Sequence, residues 1–231
     1  MKIACLHTAE SNVAIFETAA KNLGIPPGVL HHKVRADLLA EVENAGGLTP
    51  DISDATKLEL LSLAQSANAV ILTCSTLGAA ADAAAAQTGV PILRTDAALA
   101  AAAVAEVAAL AAAHAGGKIV VLCAVETTMD PTSRLFSHAA RGSGATVEVQ
   151  LVPGAWALFK AGDFDGYLAS IASAADRAYV GGASVVALAQ ASMNGAARLV
   201  SAGPSPLSSP PAGLAAALKA AAHHLGLGAT H

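Results

Sequence analysis

The chain has few aromatic and few charged residues, which make up 3% and 13% of its 231 residues. Alanine instead supplies much of the 54% hydrophobic share, in runs such as 83–86 and 100–103. A sequence this apolar is predicted to fold around a sizeable core and is not expected to be disordered. Lysine and arginine number 13 against 17 aspartate and glutamate residues, and without a basic excess we expect no nucleic-acid partner.

Long, strongly apolar runs are also missing from the sequence. The best candidate, 97–113, is rich in alanine and contains Glu106, whereas a spanning helix needs about 20 strongly apolar residues. We therefore predict a buried helix there and no membrane association. The apolar run at the N-terminus is too short for a signal peptide. The three cysteines, Cys5, Cys74 and Cys123, are odd in number and far apart, which favours a cytoplasmic location.

Two strand-like segments recur at one fixed separation. KIACL at 2–6 is similar to KIVVL at 118–122, an offset of 118 − 2 = 116. AVILTCST, starting at Ala69, is similar to VVALAQAS, starting at Val185, and there Cys74 aligns with Gln190 at 190 − 74 = 116. A shared offset favours a duplicated lobe.

Apolar segments alternate with helical ones, which is typical of parallel sheets covered on both faces. We predict an α/β protein of two pseudo-symmetric lobes, 1–96 plus 208–231 and 97–207, each with a parallel sheet flanked by helices. The predicted strands are 2–7, 69–74, 91–93, 118–123, 146–150 and 184–189. The predicted helices are 11–23, 54–66, 78–88, 97–114, 131–142, 164–181, 194–202 and 212–225, with a rigid proline-rich connection at 204–211.

Polar residues at the predicted strand ends are the candidates for a functional site. Ligands bind beyond the carboxyl ends of parallel strands, so we expect the active site in the cleft between two facing lobes. The candidates are Thr8, Cys74, Ser75, Thr76, Thr127, Thr128, Gln190 and Ser192, a set with hydroxyls and one thiol but no metal-binding cluster. His7 ends a strand at the same edge, and histidine titrates in a range suited to acid–base chemistry. A structural role for His7 is the alternative.

The remaining cysteines and histidines are predicted to have no functional role. Cys5 and Cys123 lie within apolar strands and are expected in the core. The pairs 31–32 and 223–224 are adjacent histidines, without the spacing that places two ligands on one helical face. We expect both pairs on the solvated surface.

Several motifs resemble those of the aspartate/glutamate/hydantoin racemase superfamily. VILTCSTLG at 70–78 looks like its first cysteine motif, and VPILRTDA at 90–97 resembles the stretch that follows. Segments 152–155 and 207–210 are similar to later motifs in the same order. The resemblance covers nearly the whole chain and implies two α/β lobes, an active site between them, no cofactor and a homodimer.

The resemblance also implies a mechanism, from which this sequence departs at one position. In the family, two cysteines, one from each lobe, move a proton at the carbon alpha to a carboxylate. Cys74 matches the first, but Gln190 stands where the second is expected, and glutamine has no proton to exchange near neutral pH. Gln190 either holds a substrate carboxylate or amide or fills a disused half-site. Thr127 and Thr128 resemble the family's carboxylate-binding threonine, with a helix-capping role as the alternative.

The leading hypothesis is a cofactor-independent, metal-free isomerase of the racemase type that acts at the alpha carbon of a small carboxylate or amino acid. Cys74 would be its main acid and base, with His7 as a second. Substrate contacts are expected from Thr8, Ser75, Thr76, Thr127, Thr128, Gln190 and Ser192. One alternative is a one-thiol decarboxylase or cis–trans isomerase of a small dicarboxylate. An alternative of another class is a non-catalytic carboxylate-binding module.

Overall fold

The structure, a computed structural model, describes residues 1–111 and 117–227. The chain divides into two compact units, one formed by Met1–Ala98 with Pro210–His231 and the other by Leu99–Ser209. Each unit contains a four-stranded sheet in which every strand pair is parallel. The predicted α/β class, with a helix-flanked parallel sheet in each of two lobes, is confirmed.

The first unit alternates strands and helices along the chain. Its elements are β1 (Ile3–His7), α1 (Ser11–Asn22), β2 (Leu30–Val34), α2 (Ala36–Ala45), α3 (Pro50–Ala64), β3 (Ala69–Leu72), a 3₁₀ turn (Ser75–Leu77), α4 (Gly78–Ala85) and β4 (Ile92–Arg94). Helix α5 (Thr95–Ala111) begins in this unit and continues into the second.

The second unit repeats this alternation. Its elements are β5 (Lys118–Cys123), a 3₁₀ turn (Glu126–Thr128), α6 (Met129–Ala139), β6 (Thr146–Leu151), α7 (Ala155–Lys160), α8 (Phe164–Val180), β7 (Val185–Leu188), a 3₁₀ segment (Ala191–Leu199) and β8 (Leu207–Ser208). Helix α9 (Ser209–His224) follows and lies almost entirely in the first unit.

The two sheets have the same strand order, β2-β1-β3-β4 in one and β6-β5-β7-β8 in the other. The register of the central strands repeats as well. Ile3 lies opposite Ala69 and Ile119 opposite Val185, so the offsets are 119 − 3 = 116 and 185 − 69 = 116. The separation found in the sequence is therefore also the separation of equivalent positions in the two sheets.

In the first unit, the two faces of β1 pack against different layers. Leu6 and Leu72 are buried in one cluster with Leu38 of α2 and Leu60 of α3. Because side chains alternate along a strand, Cys5 and His7 point to the opposite face. There Phe16 of α1 packs against the His7 ring, with ring centroids 5.2 Å apart.

In the second unit, alanine side chains form much of the contact between helix α8 and the sheet. Val120 and Leu122 of β5 share a buried cluster with Ile171 of α8. Four alanines of α8 also belong to this cluster, Ala172, Ala174, Ala175 and Ala178. Small side chains let the helix backbone approach the sheet closely, so alanine contributes to packing here without aromatic bulk.

Among the described residues, four α-helices and strands are absent from the sequence-based prediction: β2, α2, α7 and β8. Strand β2 reads LHHKV and lies at an edge of its sheet, where alternate side chains face solvent, so it lacks the apolar run of a central strand. Strand β8 has two residues and occupies part of the predicted proline-rich connection. The final helix begins at Ser209, earlier than predicted, because Pro210 and Pro211 fit its first turn, where no backbone N–H is needed.

Two further predictions concern single helices. The helix predicted at 194–202 is a 3₁₀ segment over Ala191–Leu199. The alanine-rich helix predicted at 97–114 is α5, and Leu99, Ala100 and Ala103 on it are fully buried; positions 112–114 lie outside the described residues. Across 1–111 and 117–227, no helix combines the length and apolar character needed to cross a membrane.

Candidate functional site

In the first unit, the predicted site residues follow two neighbouring strands. Thr8 comes directly after β1, while Cys74, Ser75 and Thr76 follow β3, and these strands pair in parallel with Leu6 opposite Leu72. Cys74 has extended backbone geometry and is half-buried at the start of the 3₁₀ turn. The sheet therefore brings these residues to one edge, although they are 66 positions apart in sequence (74 − 8).

Within the described residues, four of the predicted hydroxyls have no hydrogen-bond partner. They are those of Thr8, Ser75, Thr76 and Thr127. None of them is a completely enclosed polar atom. Each is therefore free to donate a hydrogen bond to a ligand.

Arg94 packs against the start of α4, just after the turn that follows Cys74. Arg94, at the end of β4, donates to Asp96 through Nη2 at 2.7 Å and to Asp82 through Nη1 at 2.8 Å. Its guanidinium occupies the space that a Cβ atom at Gly78 would need. Since Gly78 begins α4, the absence of a side chain there lets Arg94 pack against the segment that follows Cys74.

In the second unit, Gln190 and Thr128 form one hydrogen-bonded group. Gln190 Oε1 accepts from the Ala124 N–H at 2.8 Å, and its Nε2 donates to Thr128 Oγ1 at 2.9 Å. The Thr128 hydroxyl in turn donates to the Val125 carbonyl at 2.6 Å. The Thr128 proton is thus already engaged, whereas the side chain of Thr127 is exposed.

Ser192 has a partner that the sequence did not indicate. Its hydroxyl lies 2.8 Å from the hydroxyl of Tyr167 on α8. Burial raises the pKa of Tyr167 to about 12, and the hydrogen bond to Ser192 opposes that shift. A second pair was also missed: the buried Ser208 donates to Asn194 Oδ1 at 2.6 Å. The paired residues are 25 and 14 positions apart, and no local motif marks them.

Cys5 and Cys123 are fully buried, as predicted from their apolar strands. Burial raises the pKa of the Cys123 thiol, although hydrogen bonds with Thr132, Thr128 and Gln190 lower it in part. The pKa of Cys5 is raised to about 12, mainly by burial and secondarily by the charge of Glu17. Neither thiol is available as a thiolate near neutral pH without a further partner.

His7 is enclosed on the sheet face that α1 covers. Its side chain is fully buried, Nδ1 lies 2.9 Å from Thr73 Oγ1, and Nε2 lies 2.8 Å from His32 Nδ1. The pKa of His7 is lowered to about 4, mainly by burial and secondarily by the nearby His32. With both ring nitrogens engaged, the arrangement favours the structural role over the predicted catalytic one.

The expectation that His32 is a solvated surface residue is wrong. Its side chain is 13% exposed and stacks on His7, and its Nε2 lies 3.0 Å from Glu17 Oε1. His31, its neighbour on β2, is exposed as predicted. Together with Cys5 and His7, His32 places three metal-ligating atoms within 4.8 Å of one another, where the sequence predicted no such cluster. The cluster follows from the register of β1 and β2, in which Cys5 lies opposite His32. The sequence did not reveal it because β2 itself was not predicted.

Neither a model of a known protein family nor a curated protein matches this sequence. Solved structures do. A glutamate racemase isoform from Bacillus anthracis is 14% identical, with a TM-score of 0.64 over 98% of this chain and 83% of that one. An allantoin racemase from Pseudomonas fluorescens is 17% identical, with a TM-score of 0.63 over 98% and 92%. An aspartate racemase from Picrophilus torridus is 13% identical, with a TM-score of 0.64 over 97% and 98%.

These likenesses establish the fold. The chain has the α/β fold of the aspartate, glutamate and allantoin racemases, in agreement with the resemblance of its sequence motifs. With identities of 13–17%, the likeness does not extend to a substrate or to the roles of individual residues.

Proposed function

We propose that this protein is a cofactor-independent isomerase of the racemase type that moves a proton at the alpha carbon of a small carboxylic or amino acid. The observation that carries the proposal is the position of Cys74. It is half-buried directly beyond β3, next to the unpartnered hydroxyls of Ser75 and Thr76. The racemase fold of the chain supports the same class of reaction.

In the proposed reaction, Cys74 acts as the base for one enantiomer of the substrate and as the acid for the other. Its thiolate takes the proton from the alpha carbon, and the electron pair of the C–H bond passes into the carboxylate to form an enediolate. Inversion then requires a new proton on the opposite face of the same carbon, delivered by solvent or by a group other than Cys74, because return by the thiol itself restores the starting configuration. The hydroxyls of Thr8, Ser75 and Thr76 would donate hydrogen bonds to the carboxylate oxygens, where negative charge develops.

The direct test is proton exchange in deuterated water with a panel of small amino and hydroxy acids. NMR would follow the alpha proton, and polarimetry the optical rotation. A racemase exchanges the alpha proton and loses optical rotation together. Cys74→Ala is expected to lower the exchange rate by at least about 100-fold, the scale of losing a general acid–base group.

The matched control is Ser62→Ala, a change at an exposed position of α3, which should leave the rate unchanged. The absence of exchange with every acid in the panel contradicts the proposal, and so does exchange that persists in Cys74→Ala. Binding of a carboxylate without exchange would identify a non-catalytic binding module.

One observation favours a second candidate, a one-thiol enzyme such as a decarboxylase or a cis–trans isomerase of a small dicarboxylate. Gln190 is the counterpart of Cys74, and both ends of its amide are bonded to its own unit. A single thiol delivers protons to one face of the substrate. Deuterium would then enter with retained optical rotation or with release of carbon dioxide, whereas racemisation would exclude this candidate.

A further inference from the structure

A chain of polar contacts crosses the first unit beneath α1. Thr73 Oγ1, the His7 ring, the His32 ring and Glu17 Oε1 follow one another at 2.9, 2.8 and 3.0 Å. The two rings stack with centroids 5.1 Å apart. Four elements thus meet there: the ends of β1 and β3, the edge strand β2, and helix α1.

The outer partners fix where the ring protons lie. Thr73 Oγ1 donates its own proton to the Leu6 carbonyl at 3.1 Å, so it accepts from His7 Nδ1. The Glu17 carboxylate is an acceptor, so His32 Nε2 carries a proton as well. The inner nitrogens, His7 Nε2 and His32 Nδ1, are left with lone pairs that face each other across 2.8 Å. A cation between them, either one extra proton or a metal ion, removes that conflict.

The position of Cys5 favours a metal ion. Cys5 lies two residues before His7 on the same face of β1 and directly opposite His32 in the strand register. Its Sγ and one nitrogen of each ring lie within 4.8 Å of one another. A bridging proton makes no use of the thiol, whereas a thiolate with two imidazoles is a donor set that suits Zn²⁺.

The surroundings match those of a metal site in two further respects. Metal-bound histidines usually donate the other ring N–H to a carboxylate, hydroxyl or carbonyl, and here both rings do so. Zn–N distances of about 2.0–2.1 Å in a tetrahedron place two nitrogens ~3.3 Å apart, so the rings need to separate by about half an ångström. His32 is 13% exposed and Glu17 52% exposed, which gives an ion a route from solvent.

We propose that Cys5, His7 and His32 form a binding site for Zn²⁺, with water as the fourth ligand and Glu17 and Thr73 orienting the two rings. The bound ion would tie edge strand β2 to β1 and, through Glu17, to α1. It would also fix the end of β1, from which Thr8 follows. This site is independent of the proton transfer proposed for Cys74.

The experiment uses the whole 231-residue chain, first freed of metal with a chelator. Zn²⁺ is titrated in competition with a chromophoric chelator, and Co²⁺ is added separately as a spectroscopic probe. We expect one ion per chain, a thiolate-to-cobalt charge-transfer band, and a higher melting temperature with Zn²⁺. His32→Gln should weaken Zn²⁺ binding by more than the about 10–100-fold expected for Glu17→Gln, which removes an orienting partner.

Two comparisons separate this site from adventitious binding to other histidines. His31→Gln alters the exposed neighbour on the same strand and should leave the affinity and the cobalt band unchanged. Cys5→Ser should abolish the charge-transfer band. The proposal is overturned if the wild type binds no Zn²⁺, if His32→Gln binds as tightly as the wild type, or if the cobalt spectrum has no thiolate band. Loss of Zn²⁺ binding without loss of exchange at Cys74 would leave the proposed function intact.

Discussion

Gln190 donates a hydrogen bond from Nε2 to Thr128 Oγ1 over 2.9 Å, and thereby ties the end of β7 to the turn after β5. Its Oε1 holds the same turn through the Ala124 N–H. Where the racemase resemblance implies a second cysteine, the chain therefore has a residue that orders the loop. This role requires no substrate contact, and it can be measured as stability.

Replacing Gln190 with alanine should destabilise the protein by about 1–2 kcal/mol. The change leaves the Ala124 N–H without a partner and removes the donor to Thr128 Oγ1, whose own proton stays bonded to the Val125 carbonyl. An unsatisfied group in a partly buried site carries a cost of that order. Urea denaturation gives the free energy of unfolding. Gln87→Ala, at an exposed position, is the control and should change it by less than about 0.5 kcal/mol. Equal effects of the two changes would show that the Gln190 bonds contribute nothing.

The three cysteines should differ in their reaction with iodoacetamide. Cys74 is half-buried, whereas Cys5 and Cys123 have no exposed surface, so alkylation of the native protein should mark Cys74. Peptide mass spectrometry identifies the modified residue, and the unfolded protein, in which all three react, serves as the reference. Labelling of Cys5 or Cys123 at a rate similar to that of Cys74 would contradict the structure around these thiols.

The sequence was sufficient to predict the central strands of both sheets. Strands β1, β3, β5 and β7 are buried on both faces and therefore appear as continuous apolar runs, and the 116-residue offset between them survives in the strand register. The edge strands were harder to recognise. Strand β2 alternates between buried and solvated positions, and the two-residue β8 depends on pairing with β7.

The site was predictable only to the extent that it follows strand ends. Cys74 and Thr8 were predicted because each follows an apolar run, and both lie beyond a strand in the structure. The role of His32 required knowledge of its pairing with Cys5, a contact between strands separated by more than twenty residues. The pairs Tyr167–Ser192 and Ser208–Asn194 likewise arise from tertiary packing, which leaves no pattern in local sequence.

Stability of the second unit should fall in alkaline solution because of Tyr167. Burial raises its folded-state pKa from 10 to about 12, so the unfolded chain loses the phenolic proton first. The stabilisation is complete below pH 10 and is lost as pH rises to about 12; a shift of this size corresponds to roughly 2–3 kcal/mol.

Tyr167→Phe isolates this contribution, because all other titratable groups are present in both proteins. Near neutral pH the variant should be slightly less stable, since Ser192 loses its partner. The difference in the free energy of unfolding should then shrink or reverse above pH 10. Urea unfolding at a series of pH values measures it, and parallel curves for the two proteins would show that the phenol titrates normally.

The contact between Gly78 and Arg94 allows a test of how tightly the segment that follows Cys74 is packed. A Cβ at position 78 would overlap with the guanidinium, which Asp82 and Asp96 hold in place. Gly78→Ala should therefore cost about 1–3 kcal/mol, the range for overpacking, despite the better helix propensity of alanine. Gly89→Ala, where a Cβ meets no atom within 4 Å, should be neutral or slightly stabilising.

A double-mutant cycle separates overpacking from a backbone effect. In an Arg94→Ala background the space at position 78 is open, so Gly78→Ala should lose most of its cost there. If Cys74 depends on this packing for its position, its alkylation rate in the Gly78→Ala variant should change, while in Gly89→Ala it should match the wild type. An equal cost of Gly78→Ala in both backgrounds would mean that the guanidinium does not constrain the turn.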